Sequence, residues 1–235
     1  ERMSKINAVR FININYNNNA IRINDETLNF NGESTLISLQ NGGGKSVLVQ
    51  MMTAPFVHKK YRNVADRPFD NYFTTAKPSF ILIEWSLDGG AGKMMNGFMV
   101  RKNQEESEER QELLDIMGII SEYQEPCIWD IHNLPVVEKT KKEMILKGYA
   151  ACRQLFEGYK KDREAKFFCY DMNSAGQQRQ YFEKLKDYHV DCKEWETIIK
   201  KVNEKEGGLA DLIYKKRETG IYLSIVGYGR DNFKD

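Results

Sequence analysis

The feature that most restricts this chain is the glycine run Gly42-Gly43-Gly44, followed at once by Lys45 and Ser46. Before it, Thr35–Leu39 is an apolar stretch of strand length. After it, Val47, Leu48, Met51, Met52 and Phe56 recur at helical spacing, and Pro55 lies where the pattern stops. Thr35–Met52 therefore reads as strand, glycine loop and helix. Glycines let successive backbone N–H groups turn inward, and the positive end of the following helix then faces the same hollow. A glycine-rich turn that only caps a helix uses similar residues, but a strand before and a helix after are the context that phosphate binding requires.

The general pattern is G-x-x-x-x-G-K-[ST]. Here Asn41, Gly42, Gly43 and Gly44 supply backbone donors, and Lys45 reaches the β- and γ-phosphates. The Ser46 hydroxyl coordinates Mg²⁺, and Val47 completes the set. The expected ligand is ATP with magnesium. The first glycine of the pattern falls at Leu39, so the entry turn must differ from the general form, with a consequence for affinity.

Composition fits a folded domain and removes several other classes. With 41% apolar and 29% charged residues in 235, the chain can bury a sizeable core. Its 35 basic and 34 acidic side chains leave a net charge of +1, so contact with nucleic acid must come from a local patch or from a partner segment. Cys127, Cys152, Cys169 and Cys192 are too widely spaced for a C-x-x-C pair, and no histidine stands at zinc-finger spacing. No apolar run approaches the ~20 residues of a membrane span, and the cytoplasm is the expected location. Met3 after Glu1-Arg2 reads as a native start behind two foreign residues.

The rest of the chain is read as an α/β fold. Ala8–Ile14 and Ala20–Ile23 are expected to form a β-hairpin through Tyr16-Asn17-Asn18-Asn19. Phe80–Leu87 and Met94–Arg101 form a second antiparallel pair through the glycine-rich Asp88–Gly92 turn. The charged run Gln104–Arg110 marks a lobe boundary. This divides the chain into a phosphate-loop lobe, residues 1–103, with antiparallel strands beside a mixed sheet, and a helix-rich remainder, 104–235. The remainder holds apolar segments at Ile116–Tyr123 and Cys127–Ile131, a helix over Lys141–Tyr159, a strand at Lys166–Tyr170, and helices over Gln177–Tyr188 and Glu194–Asn203.

The form N-G-x-G-K-S behind an N-terminal hairpin resembles the ABC-type ATPase heads of the structural maintenance of chromosomes (SMC) proteins, whose relatives include the bacterial condensin MukB. The likeness covers roughly residues 1–100, including the Phe80–Arg101 meander. Ile37–Met52 with Tyr61–Phe73 is most similar to the MukB-like ATPases of bacterial plasmid defence. The resemblance implies that this is the N-terminal part of a head, leading toward a coiled-coil arm beyond residue 235. A C-terminal segment of the same protein would then bring the L-S-G-G signature and the Walker B acids. It further implies a second head across the nucleotide, accessory subunits, and DNA as the object of the work. A fragment of this kind binds ATP but has no catalytic residue of its own.

Other readings stay open beside it. Glu84 and Asp171 each follow an apolar strand segment, and either is a candidate magnesium acid in a self-contained P-loop NTPase or kinase. A nucleotide-sensing scaffold without turnover is a third reading. His58, Lys59, Lys60 and Arg62 form a basic turn that would reach phosphates or stay solvated. Leu87-Asp88-Gly89-Gly90 is read as a turn instead of an ABC signature, and Gly92-Lys93 lacks the following hydroxyl of a second phosphate loop. His132 and His189 lack triad partners, and the aromatics Phe167, Phe168, Tyr170, Tyr181 and Phe182 are read as core. Gln104, Gln124, Gln177 and Gln178 are the candidates for a magnesium-sensing glutamine.

Overall fold

A computed structural model describes residues 5–16, 21–30, 50–63, 68–103 and 113–204. The hairpin is present: β1 (Lys5–Tyr16) pairs antiparallel with β2 (Ile21–Asn29). Two asparagines interrupt the regular alternation of β1. Its register against β3 (Ser79–Ser86) shifts between Ile6 and Ala8, and Asn13 takes φ 56°, a left-handed value that asparagine tolerates better than most residues. Ile12 consequently faces one core and Ile14 the other.

From β3 the chain turns through Asp88–Gly90 into β4 (Lys93–Lys102), where Gly89, Gly90 and Gly92 all have positive φ, as the expected tight turn requires. Next come β5 (Leu114–Tyr123), a small hairpin of β6 (Val137–Lys139) and β7 (Met144–Leu146), α2 (Tyr149–Lys161), β8 (Lys166–Asp171), α3 (Ala175–Asp187) and α4 (Cys192–Glu204). Residues 50–53, here α1, are helical and run straight into a 3-10 turn at Ala54–Phe56.

The main sheet has the order β2-β1-β3-β4-β5-β8. Every pairing in it is antiparallel, so among the described residues the expected mixed sheet is not found. Nor is the remainder set apart by helices, because β5 and β8 extend the sheet that β1–β4 begin. The physical reason is that β5 is apolar on both faces, Ile116 and Ile120 toward one core and Met117 and Ile119 toward the other, which suits a strand covered on two sides. The expected helix over Lys141–Tyr159 is also corrected: Met144–Leu146 is a strand, and α2 begins after Gly148. Thr140 closes the β6–β7 turn, its hydroxyl accepting the Glu143 N–H at 3.1 Å.

Helices cover both faces of the sheet. One core gathers Val9, Phe11, Ile81, Ile83, Trp85 and Phe98 under α1, α3 and α4; the other gathers Ala8, Ile12, Phe80, Leu82, Met95 and Met99 under α2 and the 131–136 segment. The outer edge of β8 is guarded by Lys160, whose ammonium donates to the Cys169 carbonyl at 3.2 Å. Gly118 on β5 leaves room for the Tyr181 ring, to which a Cβ at 118 would come within 2.8 Å. Among the described residues no helix is long and apolar enough to cross a membrane.

At the β2 end, Arg10 forms two hydrogen bonds of 2.9 Å to Asp25, whose other cationic partner is Lys139 at 3.2 Å. Arg10 also donates to the Ile131 carbonyl, so one buried guanidinium ties β1, β2 and the 131–136 segment together. Burial alone would raise the Asp25 carboxyl; Arg10 and Lys139 outweigh it and hold the group below its ordinary value. A depressed acid stabilises the fold above its unfolded value of 3.8 and loses that contribution as pH falls through the lower folded value. Asp25→Asn is therefore expected to cost about 3 kcal/mol at neutral pH, as for a broken buried pair. In urea melts the gap from wild type should close as pH drops below 3.8; a gap independent of pH would refute the clamp.

Candidate functional site

The expected phosphate loop, Asn41, Gly42, Gly43, Gly44, Lys45 and Ser46 with Val47, lies outside the described residues, as do the strand expected at Thr35–Leu39 and the charged run Gln104–Arg110. What is described is the far end of the helix that the loop is expected to open, and how that end is fastened.

Met51 and Met52 are buried against the sheet, in phase with the helical pattern read from the sequence. Gln50 beside them is also buried. Its amide donates to the Arg62 carbonyl at 2.8 Å and accepts the Tyr72 hydroxyl at 2.7 Å. The carbonyls at the end of the helix, left without intrahelical partners, are met by side chains from three places. Arg62 donates to the Ala54 and Val57 carbonyls at 3.2 and 3.0 Å. Asn96 of β4 donates to the Pro55 carbonyl at 3.1 Å, and Tyr181 of α3 donates to the same oxygen. The Asn96 amide oxygen in turn accepts the Trp85 indole N–H at 2.7 Å. Burial holds the Tyr181 phenol far above its ordinary range, so it stays a donor.

The two acids have different surroundings. Glu84 lies within β3 and is 1% exposed. One carboxylate oxygen accepts the Asn7 amide at 2.5 Å and lies 3.7 Å from the Lys93 ammonium; the other accepts the Tyr123 hydroxyl. Burial, and then the Glu84 charge, push the Tyr123 phenol well above its ordinary value. A carboxylate engaged in this way serves the core. Asp171 instead ends β8 and is exposed; one oxygen accepts the Asn173 N–H at 3.0 Å, turning the chain into α3.

The basic turn is divided. Lys59 and Lys60 are exposed, but Arg62 is buried, with its guanidinium 4.7 Å from the centre of the Phe98 ring, and His58 pairs with Glu196 of α4. Beside it, a cleft of about 340 Å³ is lined by Lys59, Asn63, Phe69, Asp70, Met172 and Gln178, among others. Of the glutamine candidates, Gln178 lines this cleft, Gln177 accepts the Asp171 N–H at 2.9 Å, Gln124 is exposed, and Gln104 lies outside the described residues. His132 is exposed, and His189 takes φ 63° just past the end of α3. Phe167, Tyr181 and Phe182 are core residues, with Phe168 and Tyr170 packed against them.

No protein-family model matches the chain, and no curated protein does either.

Asn96 is the residue that sequence reasoning passed over. Its one signal is an amide inside the apolar run Met94–Met99, where a polar group persists only if it is bonded. Asn96→Leu leaves the Trp85 indole without its acceptor and removes one donor to Pro55. Such a loss costs about 2–3 kcal/mol. Thermal unfolding followed by near-UV dichroism of the tryptophans checks it; an unchanged melting temperature would show that the network adds nothing.

Proposed function

We propose that this chain is the ATP-binding N-terminal part of an SMC-like ATPase head, completed by a C-terminal segment of its own protein. The observation that carries the reading is Asn41-Gly42-Gly43-Gly44-Lys45-Ser46, followed by residues 50–53 in helical conformation with their end locked to the sheet. Phosphate binding at a helix N-terminus depends on the helix being held still, since its N–H groups act as fixed dipoles. The fastening at Gln50, Asn96, Tyr181 and Arg62 supports that requirement.

In this reading the backbone N–H groups of residues 41–44 and the Lys45 ammonium hold the phosphates. Ser46 holds Mg²⁺, which neutralises phosphate charge when bound. Work on DNA, with a second head and accessory subunits, belongs to the complete protein. Glu84 is spent within the core, so a self-contained P-loop enzyme would rest on Asp171, which stands exposed at a strand end.

Isothermal titration of the 235-residue chain with ATP and magnesium tests the assignment. Lys45→Ala should weaken binding by about 10- to 100-fold, the worth of a charge-assisted contact. Equal affinity in the variant would overturn the site, and failure of the wild type to bind would overturn the reading. Multiple-turnover hydrolysis by the wild-type chain would favour the Asp171 alternative.

A further inference from the structure

The cleft beside Lys59 has a floor and a rim of different chemistry. Its floor is Phe69, Leu114, Ile116 and Met172, none more than 9% exposed. The backbone beneath them is already committed. The Phe69 N–H donates to Asn63 Oδ1 at 2.8 Å, the Ile116 N–H to Asn173 Oδ1 at 3.0 Å and the Met172 N–H to the Ile116 carbonyl at 3.0 Å, while the Leu114 carbonyl accepts the Asn173 amide at 2.9 Å. These bonds join β5 to the turn before α3 and hold the Phe69–Tyr72 3-10 turn to Asn63, so the hollow is formed before any ligand arrives. What the floor offers is hydrocarbon and a thioether, a surface for an apolar body.

The rim carries charge of both signs. Lys59 is exposed, and Asp70 and Gln178 are half-buried. Among the described residues the Asp70 carboxylate and the Gln178 side-chain amide make no hydrogen bond or ion pair. Buried Arg62 adds positive charge to the lining, and Ala175 brings the positive end of α3 to it. A ligand with only a cation meets Lys59 and Arg62 unfavourably, and one with only an anion leaves Asp70 without a partner. A molecule with one charge of each sign suits both, because complementary charges at a partly desolvated rim strengthen one another's hydrogen bonds. The floor adds a third demand, a large apolar group on the same molecule.

We propose that this cleft binds a free α-amino acid with a large apolar side chain: its ammonium meets Asp70, its carboxylate meets Lys59, and its side chain lies on Phe69, Ile116 and Met172. Gln178 serves as a neutral partner to either charged group, having both a donor and an acceptor. The volume of about 340 Å³ stands at the small end of ligand pockets, which suits a single amino acid better than a nucleotide or a peptide. This site is built wholly from described residues and does not depend on the nucleotide reading.

Titrating the ¹⁵N-labelled 235-residue chain with L-leucine, L-methionine and L-phenylalanine tests it, with nitrogen–proton correlation spectra as the readout. At least one of the three should bind and shift the Gln178 side-chain amide and the Ala175 N–H. N-acetyl-L-leucine, which lacks the ammonium, and L-leucinamide, which lacks the carboxylate, should each bind at least about tenfold more weakly than L-leucine, the worth of one charge-assisted hydrogen bond. Glycine, with nothing to lay on the floor, should be weaker still. Asp70→Asn should weaken L-leucine about tenfold and leave N-acetyl-L-leucine unchanged, because the group that Asp70 meets is already gone. No binding by any of the three up to millimolar concentration would overturn the site, as would shifts confined to residues away from the cleft. Equal binding of the acetylated and amidated forms would overturn the pairing of charges. The ligand series on the wild-type chain decides the matter even if Asp70→Asn does not fold, and ATP binding or its absence leaves the result unaffected.

Discussion

An asparagine amide inside an apolar strand must have partners or it cannot stay, and the way Asn96 meets this condition organises one side of the protein. Its oxygen takes the Trp85 indole of the neighbouring strand; its nitrogen serves both the Pro55 carbonyl and the Tyr181 hydroxyl. Sheet, α3 and the 3-10 turn that follows α1 therefore meet at one polar point inside an otherwise apolar core. Apolar packing is strong but tolerant of sliding, whereas hydrogen bonds in a low dielectric demand particular positions. Removing Asn96 would disturb where α1 ends as much as how firmly it adheres.

The same division of labour recurs elsewhere. Arg10 and Asp25 fix how β2 and the 131–136 segment sit on β1, and Glu84 with Tyr123 and Asn7 fixes β3 against β5 and the start of β1. Each charge is buried and each is met by partners distant in sequence. Buried ion pairs contribute little net stability. What these supply is position, in a sheet whose antiparallel neighbours would otherwise be distinguished only by side-chain volume.

Much of the fold was legible because its signals are local. β1, β3, β4, β5 and β8 are apolar runs bounded by turn residues, and α3 and α4 show helical spacing with Ser174 and Asp191 near their starts. The misreadings came where a local pattern was ambiguous or a distant partner decided. Met144–Leu146 extends the helical spacing of α2 backward, and Gly148 was the break that should have divided them. Strand direction could not be read for β8, whose partner β5 lies across a hairpin and a helix. His58 and Arg62 looked like a cationic turn because charge is visible in sequence. Their partners, Glu196 in α4 and the carbonyls that end α1, are not. The proposed phosphate loop is the reverse case: the expectation rests on six consecutive residues, 41–46, which lie outside the described residues.

Gly118 gives these constraints a different meaning, as a limit on how the chain can drift in sequence. A side chain there would collide with the Tyr181 ring, so residue 118 can grow only if residue 181 shrinks. Shrinking residue 181 removes the hydroxyl that shares the Pro55 carbonyl with Asn96. Three positions on β5, α3 and β4 are thus bound into one unit of inheritance, and a chain that altered one would have to alter the others in step.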